Sequence, residues 1–437
     1  MRKKKSGKMS KIKVSFLFGA GAECFSFDMP TGGDYQKNTL LCENFGKVYG
    51  KSLKNYFKET FFNKGYKYTK HHVNAGNIVY YSILENLIRQ KYENKSIKEI
   101  NQLIKNSRKK DVVNDLKGYF NKSNQKLSNP FLTELLENRD IDKIGFAGIL
   151  DSLFYNIINP AKFSQIQFSK IINYYWNCYF YLVDKIIDTF QKNNIDLSEL
   201  EEFIDKKTNK LCYKKILSNI DKFTKKLYGL KPLIKENFKN SYYFNISNKL
   251  EESKEKISLS GIFTTNYFLF SEIINDDVVY LNGKLSLFEY PELLEVRDYL
   301  KEEADNKKFF FPFIFGQSYT KPIVCKNQIT EFNKFNEKLE SSDCLIILGY
   351  NINADDNHIN SFLHNFIEIL KRKIIIVTEK EKNSTLENVY REKLKISNDN
   401  ENLIILDCKY PRKENDDDEL SKEIVNDIFS KIEDICK

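Results

Sequence analysis

Short, unbroken apolar runs that each end in small or polar residues constrain this chain more than any other feature. Residues 13–18 (KVSFLF) precede Gly-Ala-Gly-Ala, 259–263 (LSGIF) precede Thr-Thr-Asn, 278–281 (VVYL) precede Asn-Gly, and 309–315 (FFFPFIF) precede Gly316. Residues 344–348 (CLIIL) run into Gly349, 374–377 (IIIV) into Thr378 and 403–406 (LIIL) into Asp407. A strand with one wet face alternates apolar and polar residues, whereas one covered on both faces stays apolar throughout. Helical spacing at 359–370 and 420–435 separates or follows these runs. The alternation predicts an α/β fold with a doubly wound parallel sheet.

The middle of the chain has another texture. Residues 78–92 (IVYYSILENLIRQKY) and 168–191 (FSKIINYYWNCYFYLVDKIIDTFQ) carry apolar groups at helical spacing. This predicts a mostly helical insertion over 76–250, splitting the sheet domain into 1–75 and 251–437. The stripe Tyr174, Tyr175, Trp176, Tyr179 and Phe180 reads as helix-packing core rather than a base-stacking platform. A length of 437 residues is enough for a large core and more than one domain. The net charge of +9 permits contact with an anion or nucleic acid, but the charge is spread out and reads as solvated helix faces.

The start of the chain imitates a secretion signal, with Arg2 and Lys3–5 ahead of an apolar run and Ala20-Gly21-Ala22 resembling a cleavage site. That run is too short and is interrupted by Ser15 and Gly19, so a strand breaking into a glycine loop fits better. No stretch approaches the roughly 18 apolar residues of a membrane span, and a cytoplasmic chain without membrane contact is expected. None of the eight cysteines is spaced as CxxC, which disfavours a zinc module and suggests reduced core thiols. No metal is expected.

Three constellations carry candidate chemistry. Gly19, Ala20, Gly21, Ala22 and Glu23 form a strand-to-helix turn in which backbone N–H groups can approach a pyrophosphate. The third glycine of GxGxxG is missing, since Cys24 holds that place, and a plain tight turn is the alternative. Pro30 and Thr31, with two further glycines, suggest a second turn near the same ligand. Thr264, Thr265 and Asn266 follow a strand at the carboxyl edge of the sheet, where ligands bind; an N-cap for the next helix is the alternative. Gly349, Tyr350, Asn351 and Asp355, with His358, again follow a strand. They read either as ribose-binding polar groups or as an Asx-rich turn.

The order GAGA with MPTGG, then TTNY, then VVYLNG, then ILGYN with DDNHI resembles the sirtuin-like fold, particularly its bacterial antiphage-defence branch. Residues 150–154 (LDSLF), Asn159-Pro160 and 173–176 (NYYW) are similar to the sirtuin-like partner of HerA-family DNA-translocating ATPases. The resemblance implies a sirtuin-like Rossmann sheet that binds NAD as substrate and hydrolyses its nicotinamide–ribose bond. It also implies a homo-oligomer working beside a HerA-type ATPase and meeting DNA through that partner. Three departures stand out. The CxxC zinc module of deacetylase sirtuins is absent, which weighs against deacetylation. Glu23 stands where the family usually has serine. Asn282, in Leu281-Asn282-Gly283, stands where the family has a catalytic histidine, and an amide cannot act as a base.

On this reading Asn266 holds the ribose or a water, Asn282 orients a ribose hydroxyl, and Asp151 or Glu23 supplies a carboxylate to the oxocarbenium-like ribose. Of the four histidines, His358 is the best placed. The rival readings are a catalytically weak subunit that senses NAD or ADP-ribose, a dehydrogenase, which the missing third glycine disfavours, and a nuclease, which lacks a carboxylate cluster.

Overall fold

The computed structural model describes residues 11–27, 29, 165–205, 208, 210–290, 293, 295–305, 310–314, 326–352, 356–378, 384–407 and 417–435. The chain opens with strand β1 (Ile12–Phe18) and helix α1 (Ala20–Phe27). After α2 (Gln165–Lys192) come a two-residue hairpin, β2 (Ile204–Asp205) and β3 (Lys210–Leu211), and the helices α3 (Tyr213–Ser218), α4 (Ile220–Gly229), α5 (Lys231–Asn237) and α6 (Tyr242–Glu252). There follow β4 (Ile257–Thr264), β5 (Val278–Tyr280), β6 (Gly283–Tyr290), β7 (Glu295–Asp298) and β8 (Phe311–Ile314). The last part runs α7 (Lys326–Glu340), β9 (Cys344–Leu348), α8 (Asn357–His364), β10 (Lys373–Thr378), α9 (Ser384–Leu394), β11 (Leu403–Asp407) and α10 (Asp417–Ile435).

Six strands form one sheet in the order β11-β10-β9-β1-β4-β5, and every pairing is parallel. The chain therefore starts at the centre, builds outward through β4 and β5, and returns to the other side of β1 with β9, β10 and β11. This reversal between β1 and β9 is a topological switch point, the place where open α/β sheets bind ligands at their carboxyl ends.

The apolar runs are continuous because both faces are covered. Val14, Phe16 and Phe18 pack with Tyr243 of α6 and Val425 and Ile428 of α10. Leu17, Leu345 and Ile347 pack on the opposite face with Phe335 of α7, Leu363 of α8 and Tyr390 of α9. Each fully buried side chain of this size contributes about 1.5–3 kcal/mol relative to exposure. The one polar residue within β1 that is fully buried, Ser15, is satisfied by the Ser342 hydroxyl at 2.6 Å.

One run departs from the expected pattern. Within the run 309–315, the described strand Phe311–Ile314 does not join the parallel sheet: β8 pairs antiparallel with β6, which also pairs with β7, in a separate three-stranded sheet. A buried apolar run looks the same whichever way its neighbour points, so periodicity alone cannot distinguish the two.

The helices before β4 share the core of the main sheet. In α4, Ile220, Phe223, Thr224, Leu227 and Tyr228 are buried at helical spacing. α6 begins at an N-cap in which the Ser241 hydroxyl accepts from Phe244 N at 3.3 Å. Tyr175, Trp176, Tyr179 and Phe180 of α2 are core: Trp176 stacks on Phe180 at 5.6 Å and lies 6.0 Å from Phe288 of β6. Among the described residues no helix is long and apolar enough to cross a membrane.

Candidate functional site

The carboxyl ends of β9, β1, β4 and β5 meet in one layer of short hydrogen bonds. Gly19 N donates to Leu348 O at 2.9 Å and Gly21 N to Gly349 O at 3.0 Å, tying the loop after β1 to the end of β9. On the other side Thr265 N donates to Phe18 O at 3.0 Å, and Leu281 N to Thr264 O at 2.8 Å. Gly349 has φ +63, and a Cβ there would lie 2.0 Å from Ala22 N. A Cβ on Gly19 would lie 2.4 Å from Gly349 O.

The glycines are therefore required, but for a different reason than the sequence suggests. Their bare faces meet one another across the switch point rather than standing open for a pyrophosphate. The N–H groups of Gly19 and Gly21 are spent on this closure, and Ala22 N bonds Gly19 O at 3.0 Å. Polar side chains, rather than these three amides, are what the layer offers to a ligand.

Asn266 is at the middle of that layer. Asn266 N donates to Thr264 Oγ1 at 3.0 Å, so Thr264 closes a local turn, and Asn266 Nδ2 donates to Gly19 O at 3.1 Å. The threonine does not cap the next helical segment, a 3₁₀ turn at Leu269–Ile273 that has no side-chain cap. Thr265 Oγ1 reaches Phe18 O at 3.5 Å. Asn282 Nδ2 donates to Thr265 O at 3.3 Å, while its Oδ1 is buried with no hydrogen-bond partner among the described residues. Its neighbour Gly283 has φ +89, and a Cβ there would lie 2.1 Å from Phe313 O, so the Asn-Gly turn needs its glycine.

Glu23 lies in the first turn of α1 and is 5% exposed. Burial pushes its carboxyl well above the usual carboxylate range, partly offset by a hydrogen bond from the Asn266 amide. Its Oε1 has no hydrogen-bond partner among the described residues. A carboxyl held in this way is protonated over more of the pH range, which departs from the ionised carboxylate expected of Glu23. Tyr243 packs beside it, its ring 4.6 Å from Phe18 and 5.5 Å from Phe27. Burial, and then the Glu23 carboxyl, pushes the Tyr243 phenol up. Orphaned buried polar atoms at one place are uncommon in folded proteins and mark sites that a ligand or water completes.

A charged network underlies the Asn282 turn. Glu272 accepts from Lys284 Nζ at 2.8 Å and Tyr280 OH at 2.8 Å, and it also pairs with Lys231. Burial raises the Glu272 carboxyl, but Lys284 and these other partners hold it below its ordinary value. Lys284 Nζ also lies over the rings of Tyr228 at 5.0 Å and Tyr280 at 4.7 Å. Neither Tyr243 nor this network is visible in the sequence, since their partners are far apart along the chain.

The third constellation divides. Gly349 belongs to the switch point, but Tyr350 is buried and its OH donates to Asn360 Oδ1 at 2.9 Å, anchoring α8. Asn351 is exposed and accepts from Lys393 of α9 at 3.3 Å. His358 is half-buried with its ring 5.5 Å from Phe332 of α7. The structure thus brings together Gly19, Ala20, Gly21, Ala22, Glu23, Thr264, Thr265, Asn266, Asn282 and Gly349, and leaves Tyr350, Asn351 and His358 on the neighbouring helix layer. Pro30, Thr31, Asp151 and Asp355 lie outside the described residues.

No protein-family model matches the chain, and no curated protein matches it. Among solved structures it is similar to a Sir2 homolog–NAD complex, with 12% identity and a TM-score of 0.28 over 55% of this chain and 86% of that one. It is also similar to a structure described as the basis for the mechanism and regulation of Sir2 enzymes, with 14% identity and a TM-score of 0.27 over 47% of this chain and 83% of that one. A Sir2 bound to acetylated peptide has 15% identity and a TM-score of 0.23 over 42% and 83%. At scores this low the likeness adds no argument to the strand order itself. The chain is an open, parallel α/β sheet of Rossmann type whose solved structural neighbours include Sir2 homologues.

Proposed function

We propose that this chain is a sirtuin-like NAD hydrolase of a bacterial antiphage-defence system, cleaving the nicotinamide–ribose bond. One observation carries the reading: two buried amides, Asn266 and Asn282, stand at the carboxyl edge beside the switch point, and the Asn282 Oδ1 lacks a partner among the described residues. A ribose offers hydroxyl donors, and an uncharged amide acceptor suits them. The orphaned Oε1 of Glu23 adds a second acceptor in the same layer. The closed glycine turn fits the diphosphate less well, since three of its N–H groups are already bonded within the protein.

Cleavage breaks the bond between ribose C1′ and the cationic ring nitrogen, which takes the electron pair and leaves as neutral nicotinamide. Water attacks C1′ and releases a proton, giving ADP-ribose. Because the leaving group is already activated, positioning a water and stabilising the oxocarbenium-like ribose matter more than a strong base. Asn266 holds the water or the ribose in this account, and Asn282 a ribose hydroxyl.

The remaining features belong to the same proposal. The Rossmann domain comprises 1–75 and 251–437, split by a helical insertion over 76–250. The chain forms a homo-oligomer that works in the cytoplasm beside a HerA-type ATPase and meets DNA through that partner. A second reading is favoured by Asn282, which cannot replace a catalytic histidine as a base. On that reading the chain is a weakly catalytic subunit that senses NAD or ADP-ribose for a DNA-translocating ATPase. Incubating the pure chain with NAD, alone and with the ATPase, separates the two. Free nicotinamide and ADP-ribose in equal amounts support the hydrolase. Saturable binding of ADP-ribose without turnover in either sample supports the sensor.

A further inference from the structure

The turn that carries Asn282 is gripped at both shoulders by one side chain. Tyr280 ends β5 two residues before Asn282, and Lys284 lies in β6 two residues after it. The Tyr280 hydroxyl and the Lys284 ammonium both donate to the same atom, Glu272 Oε1, at 2.8 Å each. The other carboxylate oxygen, Oε2, accepts from Lys231 of α5 at 2.5 Å, a contact that does not include the turn. An ionised carboxylate is acceptor-only and takes several donors at once. Glu272 therefore closes the span from Tyr280 to Lys284 at a fixed width. We infer that Glu272 is a positioning residue, which sets the place of Asn282 at the carboxyl edge of the sheet by holding both ends of its turn.

This deepens the proposed function, on which it rests for its kinetic readout. The Asn282 side chain has one described tether of its own, the 3.3 Å bond from Nδ2 to Thr265 O, which is long for a hydrogen bond. The direction of its Oδ1 therefore depends on where the turn stands. The backbone ties the turn at two points, through Leu281 N to Thr264 O at 2.8 Å and Leu285 N to Tyr267 O at 2.9 Å. Glu272 adds the side-chain tie between them. It belongs to the 3₁₀ turn Leu269–Ile273, six residues after Asn266, so one short segment carries the first amide and fixes the second. The pair is shielded from water, with the Glu272 side chain 10% exposed and that of Lys284 14%. Charge-assisted hydrogen bonds are stronger and better directed in such surroundings.

The test uses the different duties of the two carboxylate oxygens. Tyr280→Phe and Lys284→Met each release one shoulder of the turn, whereas Lys231→Met removes a Glu272 contact and leaves both shoulders in place. A purely structural ion pair predicts that all three variants lose stability and none changes the site. If Glu272 positions Asn282, Tyr280→Phe and Lys284→Met lower kcat/KM for NAD by about 10- to 10²-fold, the scale of a misplaced group. Lys231→Met stays within about threefold of the parent, as a change away from the site does. A readout independent of NAD is the side-chain amide NMR signal of Asn282 in asparagine-labelled, ligand-free protein, identified by its loss in Asn282→Asp. The signal shifts or broadens in Tyr280→Phe and Lys284→Met and stays in place in Lys231→Met. An unmoved signal in folded Tyr280→Phe and Lys284→Met overturns the inference, and so does an equal movement in Lys231→Met. A moved signal with nicotinamide release unchanged overturns it as well. If wild type releases no nicotinamide while the signal behaves as expected, the positioning role stands and the hydrolase reading fails.

Discussion

Gly349→Ala is the substitution that most directly probes the closure between β1 and β9. The new Cβ would lie 2.0 Å from Ala22 N, 2.6 Å from Gly21 C and 2.9 Å from Ala22 Cα, all backbone atoms with no rotamer to turn away. Ordinary contact requires the loop to retreat by about 1.4 Å. That movement breaks the 3.0 Å bond from Gly21 N to Gly349 O and strains the 2.9 Å bond from Gly19 N to Leu348 O. A net hydrogen bond is worth about 1 kcal/mol, and alanine at positive φ costs about 1–2 kcal/mol. The combined destabilisation is roughly 2–4 kcal/mol. Gly229→Ala is the control, because a Cβ there meets nothing within 4 Å; at such a site alanine adds about 0.4–1 kcal/mol of stability. Urea unfolding followed by circular dichroism measures both. The reasoning fails if Gly349→Ala unfolds within about 0.5 kcal/mol of the parent, as an inert surface change would.

Other expectations concern charge. Glu272→Ala leaves Lys284 and its rings without the carboxylate that pairs with the lysine at 2.8 Å, and breaking a buried pair in this way costs about 3–5 kcal/mol. A loss below about 1 kcal/mol in urea unfolding would show that Lys284 finds another partner. Asp184 bonds the Tyr213 hydroxyl, and burial raises its carboxyl from 3.8 to about 6. The folded state therefore keeps its proton longer than the unfolded chain does, so stability falls as pH rises through that window, by about 3 kcal/mol at most. Asp184→Asn removes this slope, and an unchanged stability-against-pH curve in the variant would rule the group out.

How far the sequence discloses the fold depends on the range of the interaction involved. The strands of the parallel sheet are legible because covering both faces leaves no polar alternation, as in Cys344–Leu348. The antiparallel pairing of β8 is not, because partner direction leaves no mark on an apolar run. At the site, Thr264 and Asn266 are visible as a turn because their bond spans two residues. Glu23 shows in the sequence only as a carboxylate in an unusual place; the helix that buries it against Tyr243 lies more than two hundred residues away. Tyr350 looks ligand-facing from its neighbours, yet its hydroxyl bonds Asn360 on α8. The glycines are legible as necessary, while the surface they meet, Gly349, is visible only in the assembled sheet.

The central claim is that the Asn266 side chain serves turnover of NAD rather than the fold. The direct measurement is nicotinamide release from NAD by wild type and by Asn266→Ala, with thermal melting of both. The account expects the variant to remain folded and to release nicotinamide about 10²-fold or more slowly, the scale for losing a positioning group in a preorganised site. Equal rates from a folded Asn266→Ala variant would contradict it.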